Sequence, residues 1–221
     1  MSSPAAAGVR AVLFDLDGTL ADTAPDLTAA LNLLRKDQGL EKLPLERVRP
    51  FASAGARGLV RVGFGVEPGA PEFAALRDAF LEHYRDRACV ATRLFPGVAE
   101  LLEALAARSI AWGIVTNKAT RFTDRIVTGL KLKPDCVVCG DSTPHLKPHP
   151  DSLLLAAERL KLQAAQCWYL GDDLRDMQAA RAAGMRPVAV QWGYHHPDSG
   201  SPGTWQAELV LDRPQDLIPH L

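Results

Sequence analysis

Six short apolar runs break the chain at intervals, and what lies between them settles the fold class. They cover residues 11–14, 110–115, 136–139, 168–170, 187–190 and 209–211. None is long enough for a typical helix, and none alternates polar with apolar positions, which is the pattern of strands covered on both faces. The segments between the later runs carry a helical period. Residues 98–107 put Val98, Leu101, Leu102 and Leu105 on one face, and 152–160 and 174–183 repeat the pattern, with Gly184 as a C-terminal stop. Strand alternating with helix predicts an α/β chain: a doubly wound, Rossmann-like parallel sheet with 209–211 as its last edge.

One stretch, from Asp22 to Arg93, breaks this rhythm. It holds helical patterns at 25–36 and 72–87 and glycine-punctuated segments around 55–69, without strand-like alternation. A parallel crossover needs a dozen or so residues, and ~70 is far more. The economical division is residues 1–21 plus 94–221 as the sheet module and 22–93 as an inserted all-helical domain. The insert is expected over the C-terminal edge of the sheet, where open α/β sheets bind ligands.

Composition removes several function classes. With 25 Lys+Arg against 26 Asp+Glu, the chain carries neither the basic footprint of a nucleic-acid binder nor a polybasic membrane anchor. No apolar run approaches the ~18–20 residues of a membrane span. Met1 to Val9 is small and Ala-rich, and is expected to be a disordered lead rather than a signal peptide. These features predict a cytoplasmic globular protein, monomeric or a small homo-oligomer, whose partner is a small molecule. Cys136 and Cys139 form a C-x-x-C, but inside an expected strand. Residues three apart on a strand face opposite ways, so the pair neither bridges nor shares a metal there.

The chemistry is expected where strands end. The first run stops at Asp15, Asp17 follows, and Gly18 lets the chain turn. Two carboxylates at the mouth of a parallel sheet repel each other unless they share a cation, or one is a nucleophile and the other a proton donor. The second run ends in Thr116, Asn117 and Lys118, bringing a hydroxyl to the same edge. After the third run comes Lys147 beside Pro148, a restrained point charge. The fourth runs into Gly171, Asp172 and Asp173, with Asp176 one turn on.

The order D-x-D-G-T, then Thr, then Lys, then G-D-x-x-x-D, with a helical insert after the first strand, resembles the haloacid dehalogenase superfamily of phosphatases from end to end. The resemblance implies Asp15 as a nucleophile forming an aspartyl-phosphate and Asp17 as general acid, then base. Thr116 and Lys147 would bind the phosphoryl oxygens, with Asn117 beside them. Asp15, the Asp17 carbonyl and Asp172 would hold Mg²⁺, supported by Asp176, while the role of Asp173 stays open. Within the superfamily the chain resembles the phosphoglycolate phosphatase group and its relatives acting on N-acetylmuramic acid 6-phosphate, and Gly55 to Arg57, residues 112–118 and residues 171–176 incline the resemblance to that sugar-phosphate branch. That implies a Mg²⁺-dependent phosphomonoesterase of carbohydrate metabolism or peptidoglycan recycling. A sugar phosphomutase and a non-catalytic phosphate-binding module are the alternatives.

Electrostatics supports the cation independently of the resemblance. Asp15, Asp17, Asp172 and Asp176 stand against Lys147 alone. A carboxylate–phosphate pair at 4 Å costs ~1 kcal/mol in water and ~4 kcal/mol at an effective dielectric near 20. Mg²⁺ suits an all-oxygen site of this kind. In the insert, Arg57 between Gly55 and Gly58 is the candidate reader of a substrate carboxylate, with Arg61 one turn on in reserve. His145, His149, His195 and His196 are expected as solvated or hydrogen-bonded surface residues, and Trp192, Gly193 and Tyr194 as core.

Overall fold

The computed structural model describes residues 8–221, so residues 1–7 of the expected lead lie outside it. In chain order the strands are β1 (Ala11–Phe14), β2 (Ala21–Asp22), β3 (Arg93–Leu94), β4 (Ala111–Val115), β5 (Cys136–Val138), β6 (Cys167–Gly171), β7 (Arg186–Val190) and β8 (Leu209–Leu211). The helices are α1 (Ala24–Asp37), α2 (Leu45–Val48), α3 (Gly55–Phe64), α4 (Phe73–Arg85), α5 (Val98–Ala107), α6 (Thr120–Gly129), α7 (Asp151–Leu160) and α8 (Leu174–Ala183).

Six strands form one sheet in the order β5-β4-β1-β6-β7-β8, and every neighbouring pair is parallel. The expected α/β class is what the structure has, with each strand of this sheet within one residue of its apolar run. Side chains of β1 alternate between two buried layers. Val12 and Phe14 pack with Leu101 and Leu105 of α5, while Ala11 and Leu13 pack with Leu153 of α7 and Ala179 of α8. The chain steps from β1 to β4 and β5 on one side, then crosses to β6 on the other. Strand order therefore reverses between β1 and β6, and a crevice opens at their C-terminal ends.

Between β2 and β3 the chain is helical, from α1 to α4, with its own core of Leu27, Leu31, Leu34, Leu59, Phe80 and Tyr84. Phe122 and Tyr194 of the sheet module join that core. Two features there were not expected. The ends of the insert pair as an antiparallel ribbon, Ala21 opposite Leu94 and Asp22 opposite Arg93. The glycine-punctuated segment contains a helix, α3, whose glycines serve close packing. A Cβ on Gly63 would stand 2.7 Å from Leu31 Cδ1, and one on Gly58 would stand 2.5 Å from Ala54 Cβ. The buried Asp26 near the start of α1 closes the insert from the other end. Its carboxylate accepts the backbone N–H groups of Val90, Ala91 and Thr92 and the Thr92 hydroxyl.

Candidate active site

The ladder of β1 continues one residue beyond the strand, because the Asp15 N–H donates to the Leu170 carbonyl at 2.9 Å. Asp15 is thereby delivered, 7% exposed, to the crevice between β1 and β6. Gly18 then turns with φ +88°, and a Cβ at that position would fall 2.1 Å from Asp172 Oδ2. Gly193 is as restricted from the other side, since its Cβ would stand 2.1 Å from Asp172 Cβ. Two close backbone approaches thus seat the Asp172 side chain.

Lys147 is the hub. Its Nζ donates to Asp15 Oδ1 at 2.9 Å, Asp176 Oδ1 at 2.8 Å and the Tyr169 hydroxyl at 2.6 Å. Burial alone would lower the Lys147 pKa, but Asp15 and Asp176 outweigh it and hold the ammonium above its ordinary value. Asn117 fixes the backbone that carries it. The Asn117 side chain donates to the Lys147 carbonyl at 3.0 Å and accepts the Lys147 N–H at 2.9 Å. Its amide is therefore engaged at both ends with the loop. Thr116, 2% exposed at the end of β4, lines the same cavity as Asp15, Asp17 and Lys147.

Three carboxylates meet in the crevice: one oxygen each from Asp15, Asp172 and Asp176 lies within 4.8 Å of the others. Burial, then the charges of Asp15 and Asp176, push Asp172 well above the usual carboxylate range. Burial lifts Asp176 to about 6 against the opposing pull of Lys147. Such a group is destabilised as anions until a cation joins it. Two oxygens at this edge also share a neighbour. Ser53 Oγ, from the insert, sits 2.8 Å from Asp172 Oδ2 and 3.3 Å from the Asp17 carbonyl. An all-oxygen, charge-excess donor set fits a hard divalent ion such as Mg²⁺. Asp173 stands apart from it as the N-cap of α8, in a two-pronged pair with Arg175 at 2.9 Å. Burial would raise the Asp173 carboxyl, but Arg175 outweighs it and holds it low.

The balance of charge differs from the expectation in one respect: Lys147 is not the only buried cation. Lys118 Nζ pairs with Asp17 Oδ1 at 3.0 Å, and the Thr23 hydroxyl donates to the same oxygen. Lys118 also lies 5.0 Å from the ring centroid of Tyr84, which descends from α4 of the insert. Burial lifts the Tyr84 phenol to about 12, and its hydroxyl is buried without a hydrogen-bond partner. The insert is latched to the sheet module by Arg175, which donates to the Ser53 carbonyl at 3.0 Å.

Above these groups is a cavity of about 490 Å³. Asp15, Asp17, Thr116 and Lys147 line it, as do the apolar Leu27, Phe80 and Phe122 and the cations Arg57 and Arg121. Arg57 is exposed, on α3. The reserve candidate Arg61 is elsewhere: it pairs with Glu67 at 2.8 Å and does not line the cavity. Tyr194 and Trp192 do more than fill the core. The Tyr194 N–H donates to Asp172 at 2.9 Å, its hydroxyl accepts the Thr23 and Ala24 N–H groups, and Trp192 donates to the Thr19 carbonyl. His195 bonds the Val190 carbonyl, and His196 accepts the Asp198 N–H. The cysteines are free, and burial pushes the Cys136 thiol up to about 11. Among the described residues no helix is long and apolar enough to cross a membrane.

Residues 12–190 match the family described as haloacid dehalogenase-like hydrolase. The chain is 40% identical over 212 residues to an N-acetylmuramic acid 6-phosphate phosphatase of Pseudomonas aeruginosa, covering 95% of this chain and 93% of that one. It is 43% identical over 211 residues to a phosphoglycolate phosphatase of Xanthomonas campestris, covering 94% of each. The crystal structure of a predicted phosphoglycolate phosphatase from Haemophilus somnus superposes with a TM-score of 0.84 at 28% identity, covering 96% of this chain and 97% of that one.

Proposed function

Because the chain belongs to the haloacid dehalogenase-like hydrolases and is a phosphoric monoester hydrolase, we propose that it hydrolyses a carboxylate-bearing sugar phosphate of the N-acetylmuramic acid 6-phosphate type. Residues 22–93 serve as the cap over the catalytic edge. The observation that carries this choice over the two-carbon ester 2-phosphoglycolate is the cavity. At about 490 Å³, with Leu27, Phe80 and Phe122 on its walls, it falls in the range that holds drug-sized ligands, roughly 300–1,000 Å³. The methyl groups of the lactyl and acetyl substituents suit such walls, and Arg57 and Arg121 at the cavity answer the lactyl carboxylate.

The chain's own groups divide the reaction. The Asp15 carboxylate attacks phosphorus, and the ester oxygen leaves with the proton of Asp17, giving an aspartyl-phosphate and the free alcohol. Asp17 then takes a proton from water, whose oxygen attacks that phosphorus. Inorganic phosphate departs and the Asp15 carboxylate is restored. Lys147 and Thr116 hold phosphoryl oxygens, Asn117 positions Lys147, and Lys118 with Thr23 orients Asp17. Asp15, Asp172 and the Asp17 carbonyl would hold Mg²⁺, whose positive charge, when bound, lets an anionic nucleophile approach an anionic ester. Ranking kcat/KM over N-acetylmuramic acid 6-phosphate, 2-phosphoglycolate and several hexose phosphates tests the choice. N-acetylmuramic acid 6-phosphate is expected to lead, and a preference for 2-phosphoglycolate would overturn it.

A further inference from the structure

The loop that presents Lys147 carries a second group of metal-ligand type on its outer face. His145 and His149 flank Lys147 at two residues' distance on either side, and Asp151 opens α7 just beyond. His145 Nδ1 lies 2.8 Å from one oxygen of Asp151, and His149 Nδ1 lies 2.9 Å from the other. The two ring centroids lie 4.4 Å apart, with the planes tilted by 34°. Two imidazole nitrogens and a carboxylate oxygen therefore face one another, all within 4.8 Å. None of the three residues belongs to the group formed by Asp15, Asp172 and Asp176.

From this geometry we propose that His145, His149 and Asp151 bind a borderline-soft divalent ion, Zn²⁺ in the first instance, at a site separate from the catalytic carboxylates. The donor set carries the choice of ion. Two nitrogens and one oxygen suit Zn²⁺, which takes three protein ligands and completes a tetrahedron with water, whereas Mg²⁺ keeps to oxygen. The side chains of His145 and His149 are 63% and 48% exposed, so water reaches the fourth position. The ligands are also held ready. Asn117 clamps the Lys147 backbone from both sides, which fixes the loop between the histidines, and Asp151 is fixed by its place in the first turn of α7. An ion there ties the two flanks of Lys147 together, so its occupancy restrains the loop that holds the phosphate-binding lysine.

The test is calorimetric titration of Zn²⁺ into the full chain in excess Mg²⁺, repeated on the His145→Ala/His149→Ala double variant and on Asp151→Asn. The wild type is expected to bind one Zn²⁺ that the double variant does not, and Asp151→Asn should weaken it by about tenfold or more. Co²⁺ in place of Zn²⁺ should give visible absorption bands in the wild type alone. Zn²⁺ should raise the unfolding temperature of the wild type and leave that of the double variant where it was. The altered side chains are exposed or half-exposed, and far-UV circular dichroism verifies that each variant is folded. If a variant were not, His145→Gln and His149→Gln singly replace it. Equal Zn²⁺ affinity in the wild type and the double variant, or no saturable binding by the wild type, would overturn the proposal.

Discussion

Asp15 and Asp17 are two residues apart and keep different company. Lys147 holds one and Lys118 with Thr23 holds the other, so each carboxylate is fixed in place by its own cation. Asp15→Asn should leave melting behaviour intact and abolish phosphate release, because an amide does not form the acyl-phosphate. Retention of near wild-type kcat would remove Asp15 from that role. Arg57→Ala should lower kcat/KM for carboxylate-bearing esters by roughly tenfold to over a hundredfold, equivalent to losing about 1.5–3 kcal/mol of charge-assisted binding. It should leave p-nitrophenyl phosphate nearly untouched, and an equal loss on both would make Arg57 structural. Asp15, Asp17, Thr116, Lys147 and Asp172 were legible in the sequence because each directly follows a strand or a short loop with local spacing. Ser53, Arg175 and Tyr84 were not. Ser53 meets Asp172 across 119 positions and Arg175 meets Ser53 across 122, and no local pattern records such a meeting.

Helix α6 shows why some elements escape a periodicity argument. Its segment is mostly polar with several β-branched residues, and its buried face is only Phe122, Thr123 and Ile126. What hides the helix is composition: its β-branched residues are weak helix formers and its apolar positions are few, although Phe122 and Ile126 keep the helical spacing. Helix α3 was hidden by its glycines, which read as breaks but admit Leu31 and Ala54. Helix α1 carries the feature with the largest stability consequence. Asp26→Ala would strand the N–H and hydroxyl of the buried Thr92, a loss of about 1–3 kcal/mol, while the N–H groups of the exposed Val90 and Ala91 turn to water. Urea unfolding should register a loss of about 1–3 kcal/mol. Asp26→Asn, which retains one acceptor oxygen, should lose less, and a neutral Asp26→Ala would show that water replaces the carboxylate without cost.

Across the whole molecule, the crevice sets four carboxylates against two lysines before a substrate phosphate arrives. Chelation with EDTA should stop turnover and Mg²⁺ restore it, while Ca²⁺, with its larger and looser shell, should support little. Full activity in a metal-free preparation would refute this. Mg²⁺ should also raise the unfolding temperature, and by more at pH 7.5 than at pH 5. The folded pKa of Asp176 is near 6, above the ~3.9 of an unfolded aspartate. The native state therefore binds more protons than the unfolded state across that interval, and metal-free stability falls as pH rises through it. A gain independent of pH would separate the metal from these carboxylates. The paired ribbon of β2 and β3 has a consequence of another kind. Antiparallel partners lie about 5 Å apart, so the chain enters and leaves residues 22–93 through a single narrow socket. Closing a loop across that gap costs only about 0.6 kcal/mol more for each doubling of its length. The segment between Ala21 and Leu94 is thus a cassette: a shorter or longer helical cassette spliced at the same two pairs changes what the catalytic edge is offered, and it must bring its own counterparts of Thr23 and Ser53 to Asp17 and Asp172.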